Sequence, residues 1–148
     1  MISNLKFKEM RIVFIALILA TVACKKQKTT MDEENSTTQL LTKKVWILHA
    51  IGFDGNHNGI LDVGENVIQD CQKDNSYQFN ISGTGTIKEN AIVCNPPGNN
   101  TFNWTLVDDS VLTIGFQEMS ILNLSEAEML LQPEIPGLAV NFLMSYRR

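Results

Sequence analysis

The chain has 148 residues, of which 44% are hydrophobic and 19% are charged, and its formal net charge at pH 7 is −4. This length suits one domain with its own core, and the composition excludes a disordered chain. Residues 1–23 carry three basic side chains and one acidic side chain, so the remainder of the chain carries −6. That acidic balance excludes a protein that follows a nucleic-acid backbone.

The first 23 residues predict a signal peptide that is cut before Cys24. Three basic side chains precede an apolar run over residues 12–20, and the small residue Ala23 directly precedes the cysteine. This order is typical of a secretory signal, and the run is shorter than the roughly 20 residues of a membrane-spanning helix. The alternative is an ordinary secretory signal with an incidental cysteine.

The tetrapeptide TVAC that ends at Cys24 resembles the bacterial lipobox, with Thr21 where leucine is common. The resemblance implies diacylglycerol on the Cys24 sulfur and an outer membrane lipoprotein that is anchored by this lipid. Residues 24–37 are polar and predict a tether, and residues 38–148 form the predicted domain. Basic residues come before the first acidic ones in the tether, which leaves open whether the domain faces the periplasm or the outside.

The body of the chain predicts antiparallel β-structure, because apolar and polar residues alternate in short runs. Turn-rich pieces separate the runs and favour hairpins, so we expect about eight strands in up-and-down order, as a small barrel or sandwich. Thr37 to Lys44 is the one predicted helical segment, and Ser125 to Glu128 predicts a turn. The predicted one-sided faces are Val45, Ile47, His49, Ile51 and Phe53; Tyr77, Phe79 and Ile81; Phe102, Trp104 and Leu106; Leu112, Ile114 and Phe116; and Leu138, Val140, Phe142 and Met144.

Two cysteines remain after Cys24, and an exported chain meets an oxidising compartment, so we predict a Cys71–Cys94 disulfide. The 22 residues between them correspond to about 3 kcal/mol of stabilisation in the chain-entropy model. We expect the bond to tie the segment 69–73 to a strand that ends at Val93. The alternatives are two buried free thiols or a metal site, although neither histidine lies at ligand spacing from a cysteine.

Residues 54–65 (DGNHNGILDVGE) match the calcium-loop pattern D-x-[DN]-x-[DN]-G-x5-E at every required position. Calcium binds six to eight oxygen ligands, and Gly59 allows the sharp backbone turn that such a loop needs. The loop resembles EF-hand and dockerin loops over these twelve residues, without their flanking helices. The alternative is an Asn/Gly-rich turn between strands. The predicted ligands are Asp54, Asn56, Asn58, Asp62 and Glu65 through side chains, and Ile60 through its carbonyl oxygen.

Several short pieces, taken in order over residues 38–132, resemble the lipocalin-like lipoproteins of Bacteroidota. The resemblance implies an all-β, up-and-down antiparallel barrel of about eight strands with a calyx-like shape, and it brings no catalytic residues. The pieces that carry it are Leu40 to Trp46, Asp70 to Asn75 leading into Tyr77 to Phe79, Gly83 to Thr86, Cys94, Phe102 to Trp104, Leu112 to Ile114, and Ile121 to Ser125.

We predict a non-catalytic protein, since the sequence has no nucleophile and base in a recognisable context and no phosphate-binding loop. The first hypothesis is a binding module for a small apolar ligand, because an eight-stranded barrel can hold one such molecule. The second is a structural or interaction module of the envelope, with a barrel filled by its own side chains. The candidate lining residues of a cavity are Phe53, Tyr77, Phe79, Phe102, Trp104 and Phe116.

Overall fold

The computed structural model describes residues 36–137 and 139–148, so the predicted signal peptide, Cys24 and most of the predicted tether lie outside the described residues. In this part of the chain, no helix has the length and apolar character needed to cross a bilayer. One α-helix, one turn of 3₁₀ helix over Asp70–Gln72, and eight strands make up the described fold. They are α1 (Thr37–Thr42), β1 (Trp46–Asp54), β2 (Ser76–Phe79), β3 (Thr84–Lys88), β4 (Asn100–Val107), β5 (Val111–Ile114), β6 (Gln117–Leu124), β7 (Glu128–Pro133) and β8 (Asn141–Arg147).

The eight strands form one antiparallel sheet that closes on itself, with the strands paired in the order of the sequence. The predicted all-β, up-and-down barrel is therefore confirmed. Closure depends on β1, which pairs with β8 over seven register positions but with β2 only at Trp46↔Tyr77 and Ile47↔Ser76. The upper half of β1 thus has no partner in β2, and this gap is called the seam below.

Helix α1 lies across one end of the barrel, which is called the closed end. Ser36 caps the helix by accepting the backbone N–H of Gln39, and Leu41 is fully buried in the core. The indole Nε1 of Trp46 donates to the Leu41 carbonyl oxygen at 3.1 Å. The guanidinium of Arg148 stacks 3.9 Å from the centre of the Trp46 ring. Burial of such large side chains contributes roughly 1.5–3 kcal/mol each, so this end stabilises the fold.

The predicted face of β1 is wrong in its lower half. Trp46 and Leu48 point into the barrel there, whereas the predicted members Ile47 and His49 point outward. A register shift between Leu48 and Ala50 then exchanges the two faces. Above the shift, Ile51 lies opposite Met144, whose other partner is the buried Leu131, so the upper half of the predicted face does point inward.

Other parts of the prediction are confirmed or corrected by the strand boundaries. The helix before Trp46 and the turn after Ser125 are confirmed. Ile81 and Phe116 belong to turns and are exposed, because β2 ends at Phe79 and β5 ends at Ile114. Residue 138 lies outside the described residues, and β8 begins only at Asn141.

Candidate binding mouth and calcium loop

The end of the barrel opposite α1 is called the mouth, and its inward-facing side chains are apolar but only partly buried. These side chains are Ile87 on β3, Phe102 on β4 and Ile114 on β5. Phe53, at the top of β1, keeps 41% of its surface exposed. Its ring meets that of Phe142 edge-on, with centroids 5.1 Å apart. The mouth therefore leaves aromatic and aliphatic surface open to solvent.

Below the mouth, packed aromatic rings form a floor. Phe79 is 1% exposed, and its ring meets those of Phe102 and Trp104 edge-on at centroid distances of 5.3 and 5.6 Å. Edge-to-face pairs of this kind are favourable beyond the area they bury. The Trp104 indole also donates to the carbonyl oxygens of Asn80 and Thr84 at 3.1 and 3.0 Å. The barrel is therefore filled at this level.

The six predicted cavity residues fall into three groups. Phe53 and Phe102 line the mouth. Phe79, Trp104 and Tyr77, the last of which lies opposite Trp46, are beneath it. Phe116 does not line the interior, since it is fully exposed in the turn between β5 and β6.

The predicted calcium loop folds around Asp54, whose side chain is fully buried. One Asp54 carboxylate oxygen accepts the backbone N–H of Asn58 at 3.0 Å, and the other accepts that of Gly59 at 2.8 Å. Gly59 has a φ of +78°, the left-handed conformation that glycine adopts without a steric penalty. The turn therefore forms where the pattern places it.

The remaining side-chain ligands of the pattern converge inside this loop. The side-chain amides of Asn56 and Asn58 both donate to the same Asp62 oxygen, at 2.9 and 3.0 Å. The two oxygens of Glu65 accept the backbone N–H groups of Gly55 and Asp62. Ile60, the predicted carbonyl ligand, is exposed in the same turn.

These residues fit a calcium ion by the chemistry of their donors, because each predicted ligand offers oxygen and three of them are carboxylates. Among the described residues, no group of three or more His, Cys, Asp or Glu side chains is placed to hold a metal ion. A site here therefore depends on Asn56, Asn58 and the Ile60 carbonyl as well as on the carboxylates. The side chains already point toward one another, and the amides of both asparagines contact Asp62.

The loop also closes the seam. After Glu65 the chain returns to β1, where Phe53 N–H donates to the Glu65 carbonyl at 3.3 Å and Val67 N–H donates to the Ile51 carbonyl at 2.7 Å. Gly52 pairs with Asn66 between these two bonds, and a Cβ atom at position 52 would overlap the Glu65 carbonyl oxygen. The loop thus supplies the backbone partner that β2 does not give to the upper half of β1.

The same loop lies over the outer face of β1 and β8, which points away from the barrel interior. Ala50 and Leu143 are buried although they lie outside the core cluster, and Gly59 to Leu61 lie beside Ala50 on this outer surface. A groove of about 400 Å³ remains between the loop and the outer wall, with His49 and Arg147 among its lining residues. His57 lies within the loop itself at a φ of +58°.

The predicted disulfide is present, with the Cα atoms of Cys71 and Cys94 5.1 Å apart. The expected strand ending at Val93 is wrong, because Cys94 lies in the long connection between β3 and β4. The bond therefore ties the 3₁₀ turn to this connection, which runs over residues 89–99 and is called the 89–99 loop. Close to the bond, Asp70 pairs with Lys73 at 2.6 Å, and the hydrogen bond and charge of Lys73 lower the pKa of Asp70.

Sequence reasoning missed two features of this end of the molecule. The first is the closure of the seam by residues 65–67, for which the sequence offered Gly52 as a signal, since a glycine inside a strand marks a close backbone approach. The second is the group of polar side chains beside the 89–99 loop, at Asp74, Asn75 and Glu89. Asp74, Asn75 and Glu89 lie in loops and at a strand end, where no periodic pattern marks them.

Comparison of the chain with protein-family models and with curated proteins finds no match.

Proposed function

We propose that this chain is a non-catalytic binding domain of the bacterial cell envelope, which takes one small apolar ligand at the mouth of its barrel. In this proposal the domain is held to the outer membrane by lipid on Cys24, and calcium in the loop over residues 54–65 stabilises the wall of the mouth. The notion of a lipoprotein comes from the sequence, as Cys24 lies outside the described residues.

The observation that carries the ligand proposal is the change in exposure along the inward face of the barrel. Inward-facing apolar residues of the core cluster are 0–6% exposed, whereas those at the mouth, such as Phe102 and Ile114, are only partly buried. Apolar surface that stays open inside a concave end favours an apolar occupant, because its burial removes that surface from water.

Native mass spectrometry of protein purified from its own host tests this proposal. We expect one apolar molecule per chain, and we expect Ile87→Asp to abolish its binding by placing a charge inside the mouth. Ile81→Asp is the matched control, because Ile81 is exposed in the turn between β2 and β3 at the closed end. A wild-type protein that carries no such molecule, and that fails to bind a fluorescent fatty acid, would contradict the proposal.

The calcium part of the proposal is supported by the position of the loop at the seam. An ion held by Asp54 and Glu65 would fix both ends of the loop, and Glu65 directly precedes the residues that pair with β1. We expect 1 mM calcium to raise the melting temperature of the wild type. This concentration is close to the dissociation constants of extracellular calcium modules. In the double variant Asp54→Ala with Glu65→Ala, this loop should no longer bind calcium. Its share of the rise in melting temperature should therefore be lost.

The anchor is tested by metabolic labelling with an alkyne fatty acid. We expect the label on the wild type and none on Cys24→Ser. Cys71→Ser with Cys94→Ser is the matched control, because it removes two cysteines and leaves the predicted lipid site. Equal labelling of wild type and Cys24→Ser would show that the lipid is not on this cysteine.

A second candidate function is an interaction module with no small ligand. The observation that favours it is the exposure of apolar side chains on the loops at the mouth, since exposed apolar patches mark interaction surfaces. A mouth that binds no apolar molecule in the mass-spectrometric experiment would favour this candidate over the first. The exposed loop residues are Ile60, Val63, Val67, Ile92, Val93 and Phe116.

A further inference from the structure

Three buried side-chain oxygens lie without a hydrogen-bond partner beside the 89–99 loop. They are Oδ1 of Asp74, Oδ1 of Asn75 and Oε2 of Glu89, and the one other such atom among the described residues is Nε of Arg148 at the closed end. Buried polar groups in folded proteins are almost always paired, so an unpaired group calls for a missing partner. Here the three atoms share one chemistry, because each of them accepts and none of them donates.

Strand register places the residues that carry two of these oxygens opposite each other. Tyr77 lies opposite Ile87 and Ser76 opposite Lys88, and the same register continued by one residue places Asn75 opposite Glu89. Directly opposed residues have Cβ atoms about 4.5–5.5 Å apart, so the two side chains share one small space. Asn75 is only 6% exposed, which keeps its amide oxygen away from bulk water.

The third oxygen belongs to Asp74, which directly precedes Asn75 and contacts the same loop that Glu89 begins. The second Asp74 oxygen, Oδ2, accepts the backbone N–H groups of Ala91 and Ile92 at 2.6 and 3.2 Å. The Asp74 carbonyl oxygen accepts the side-chain amide of Asn90. These bonds fix the carboxylate and leave Oδ1 without a partner.

Glu89 is fixed in a similar way. Its Oε1 accepts the backbone N–H of Cys94 at 2.9 Å, and the disulfide ties Cys94 to Cys71, three residues before Asp74. Each carboxylate therefore uses one oxygen to hold the loop and keeps the other unpaired. Carboxylates fixed in this way are preorganised for a partner, since neither side chain has to be ordered again when it binds.

A positively charged partner is favoured here, because two of the three oxygens belong to carboxylates. Neither Asp74 nor Glu89 takes part in an ion pair among the described residues, whose salt bridges involve other acids. A water molecule would donate hydrogen bonds without balancing this charge. A hard cation that binds carboxylate and amide oxygens, with water completing its shell, satisfies all three atoms, and calcium has this preference.

We propose that Asp74, Asn75 and Glu89 form a second calcium site, which shares no residue with the loop over residues 54–65. The ion would join the turn before β2 to the 89–99 loop, beside the disulfide. It would thereby hold one side of the mouth as the first loop holds the seam. This site stands independently of the proposed function, since its oxygens are unpaired whether or not the first loop binds calcium.

Calcium titration of the purified full chain by isothermal calorimetry tests the site with two double variants. Asp74→Asn with Glu89→Gln removes both charges, and we expect the second binding event to weaken by about tenfold or more. Asp54→Asn with Glu65→Gln is the matched control, which should keep that event and lose only binding by the first loop. If the first loop binds no calcium, the control will titrate like the wild type while the second-site variant still loses its event.

Folding of the second-site variant is checked separately with Glu89→Gln alone. The glutamine oxygen can still accept the Cys94 N–H, and its amide can donate to Asn75, so we expect this variant to melt no lower than the calcium-free wild type. It should nevertheless respond more weakly to calcium. An unchanged calcium affinity in Glu89→Gln and in the double variant would overturn the proposal and would assign the three oxygens to water.

A charge-adding variant provides the opposite test. Asn75→Asp should bind calcium more tightly, by about tenfold, because ligand charge raises affinity in oxygen sites. Asn103→Asp, on the exposed outer face of β4, adds the same charge away from the three oxygens and should leave the affinity unchanged. Equal affinities for these two variants would also overturn the proposed site.

Discussion

The closed end and the mouth are built from the same eight strands, yet they treat their inward-facing side chains differently. At the closed end, Leu41 of α1, Trp46 and Tyr146 are at most 2% exposed. At the mouth, the same strands present Phe53 and Ile114 to solvent, and only loops surround them. The difference separates stability from binding, because a face that is already packed has little to gain from a ligand.

The two ends also differ in whether their acidic side chains are paired with cations. At the closed end, Glu126 pairs with Lys43 at 3.0 Å and with Arg148 at 3.1 Å, and these cations lower the pKa of Glu126. At the mouth, Asp74 and Glu89 lie in no such pair among the described residues. The closed end thus balances its charge internally, whereas the mouth keeps negative charge that a cation could bind.

The largest expected effect on stability that tests this comparison comes from two residues of β5. Leu112 and Ile114 point to the same face two residues apart, but Leu112 is fully buried and Ile114 lies toward the mouth. We expect Leu112→Ala to lower the free energy of unfolding by about 2–5 kcal/mol, because it leaves a cavity in a packed core. Ile114→Ala should cost less than half as much, and urea denaturation measures both.

The result that would break the comparison is an equal loss in the two variants. It would mean that the mouth is packed as tightly as the closed end and leaves no apolar surface for a ligand. Addition of the apolar ligand should then also fail to protect either variant. If the costs differ as expected, the ligand should stabilise the Leu112→Ala protein by binding a mouth that this substitution leaves intact.

A smaller effect on stability is expected at the seam. It tests the comparison between the two ends within a single strand, β1. Gly52→Ala would place a Cβ atom against the Glu65 carbonyl, so we expect it to force residues 65–67 away from β1 and to cost about 1–3 kcal/mol. Hydrogen exchange should then speed up at the Phe53 and Val67 amides, which bond across the seam. Exchange at Leu48, which bonds to Asn75 nearer the closed end, should change much less.

Gly55→Ala is the control for this substitution. A Cβ atom at position 55 meets only the flexible Glu65 carboxylate, at 3.4 Å, so the pairing of β1 with residues 65–67 should survive. Faster exchange at Phe53 in Gly55→Ala as well would show that any change in the loop opens the seam. In that case the overlap at Gly52 would not be the cause.

Several strands were predictable because apolar and polar residues alternate along their own sequence. Phe102, Trp104 and Leu106 share the inward face of β4, as their spacing of two requires. The cysteine pair was equally predictable, because compartment and count restrict it without knowledge of the fold. Local patterns of this kind carry the strand order, the turns and the disulfide.

The exchange of faces in β1 could not be predicted in this way. It comes from a shift against β8 between Leu48 and Ala50, and such a shift depends on the partner strand rather than on the alternation of β1 itself. The unpaired oxygens of Asn75 and Glu89 depend likewise on the pairing of β2 with β3. The pattern for the first calcium loop was visible because all of its ligands lie within twelve consecutive residues.

Two neighbouring tyrosines give the smallest effect, and their titration compares a fully buried phenol with a partly buried one. Tyr77 and Tyr146 meet edge-on at 5.1 Å, but Tyr146 is fully buried in the core whereas Tyr77 is only partly buried against it. Burial raises the pKa of Tyr77, and burial together with the Tyr77 charge raises that of Tyr146 well above its usual value near 10. The folded protein therefore favours neutral phenols, so their contribution to stability is complete below pH 10 and is lost as the pH rises above it.

We expect Tyr146→Phe to change the melting temperature little at pH 7, because the phenol is neutral there in both the folded and the unfolded chain. Between pH 10 and pH 11 the wild type should lose stability faster than this variant, in which one of the two titrating phenols is gone. Tyr77→Phe should remove a smaller part of that loss, since burial shifts its pKa less. A Tyr77→Phe protein that resisted alkali as well as Tyr146→Phe would show that Tyr77 is shielded from water as completely as Tyr146, and thermal melts across this pH range decide it.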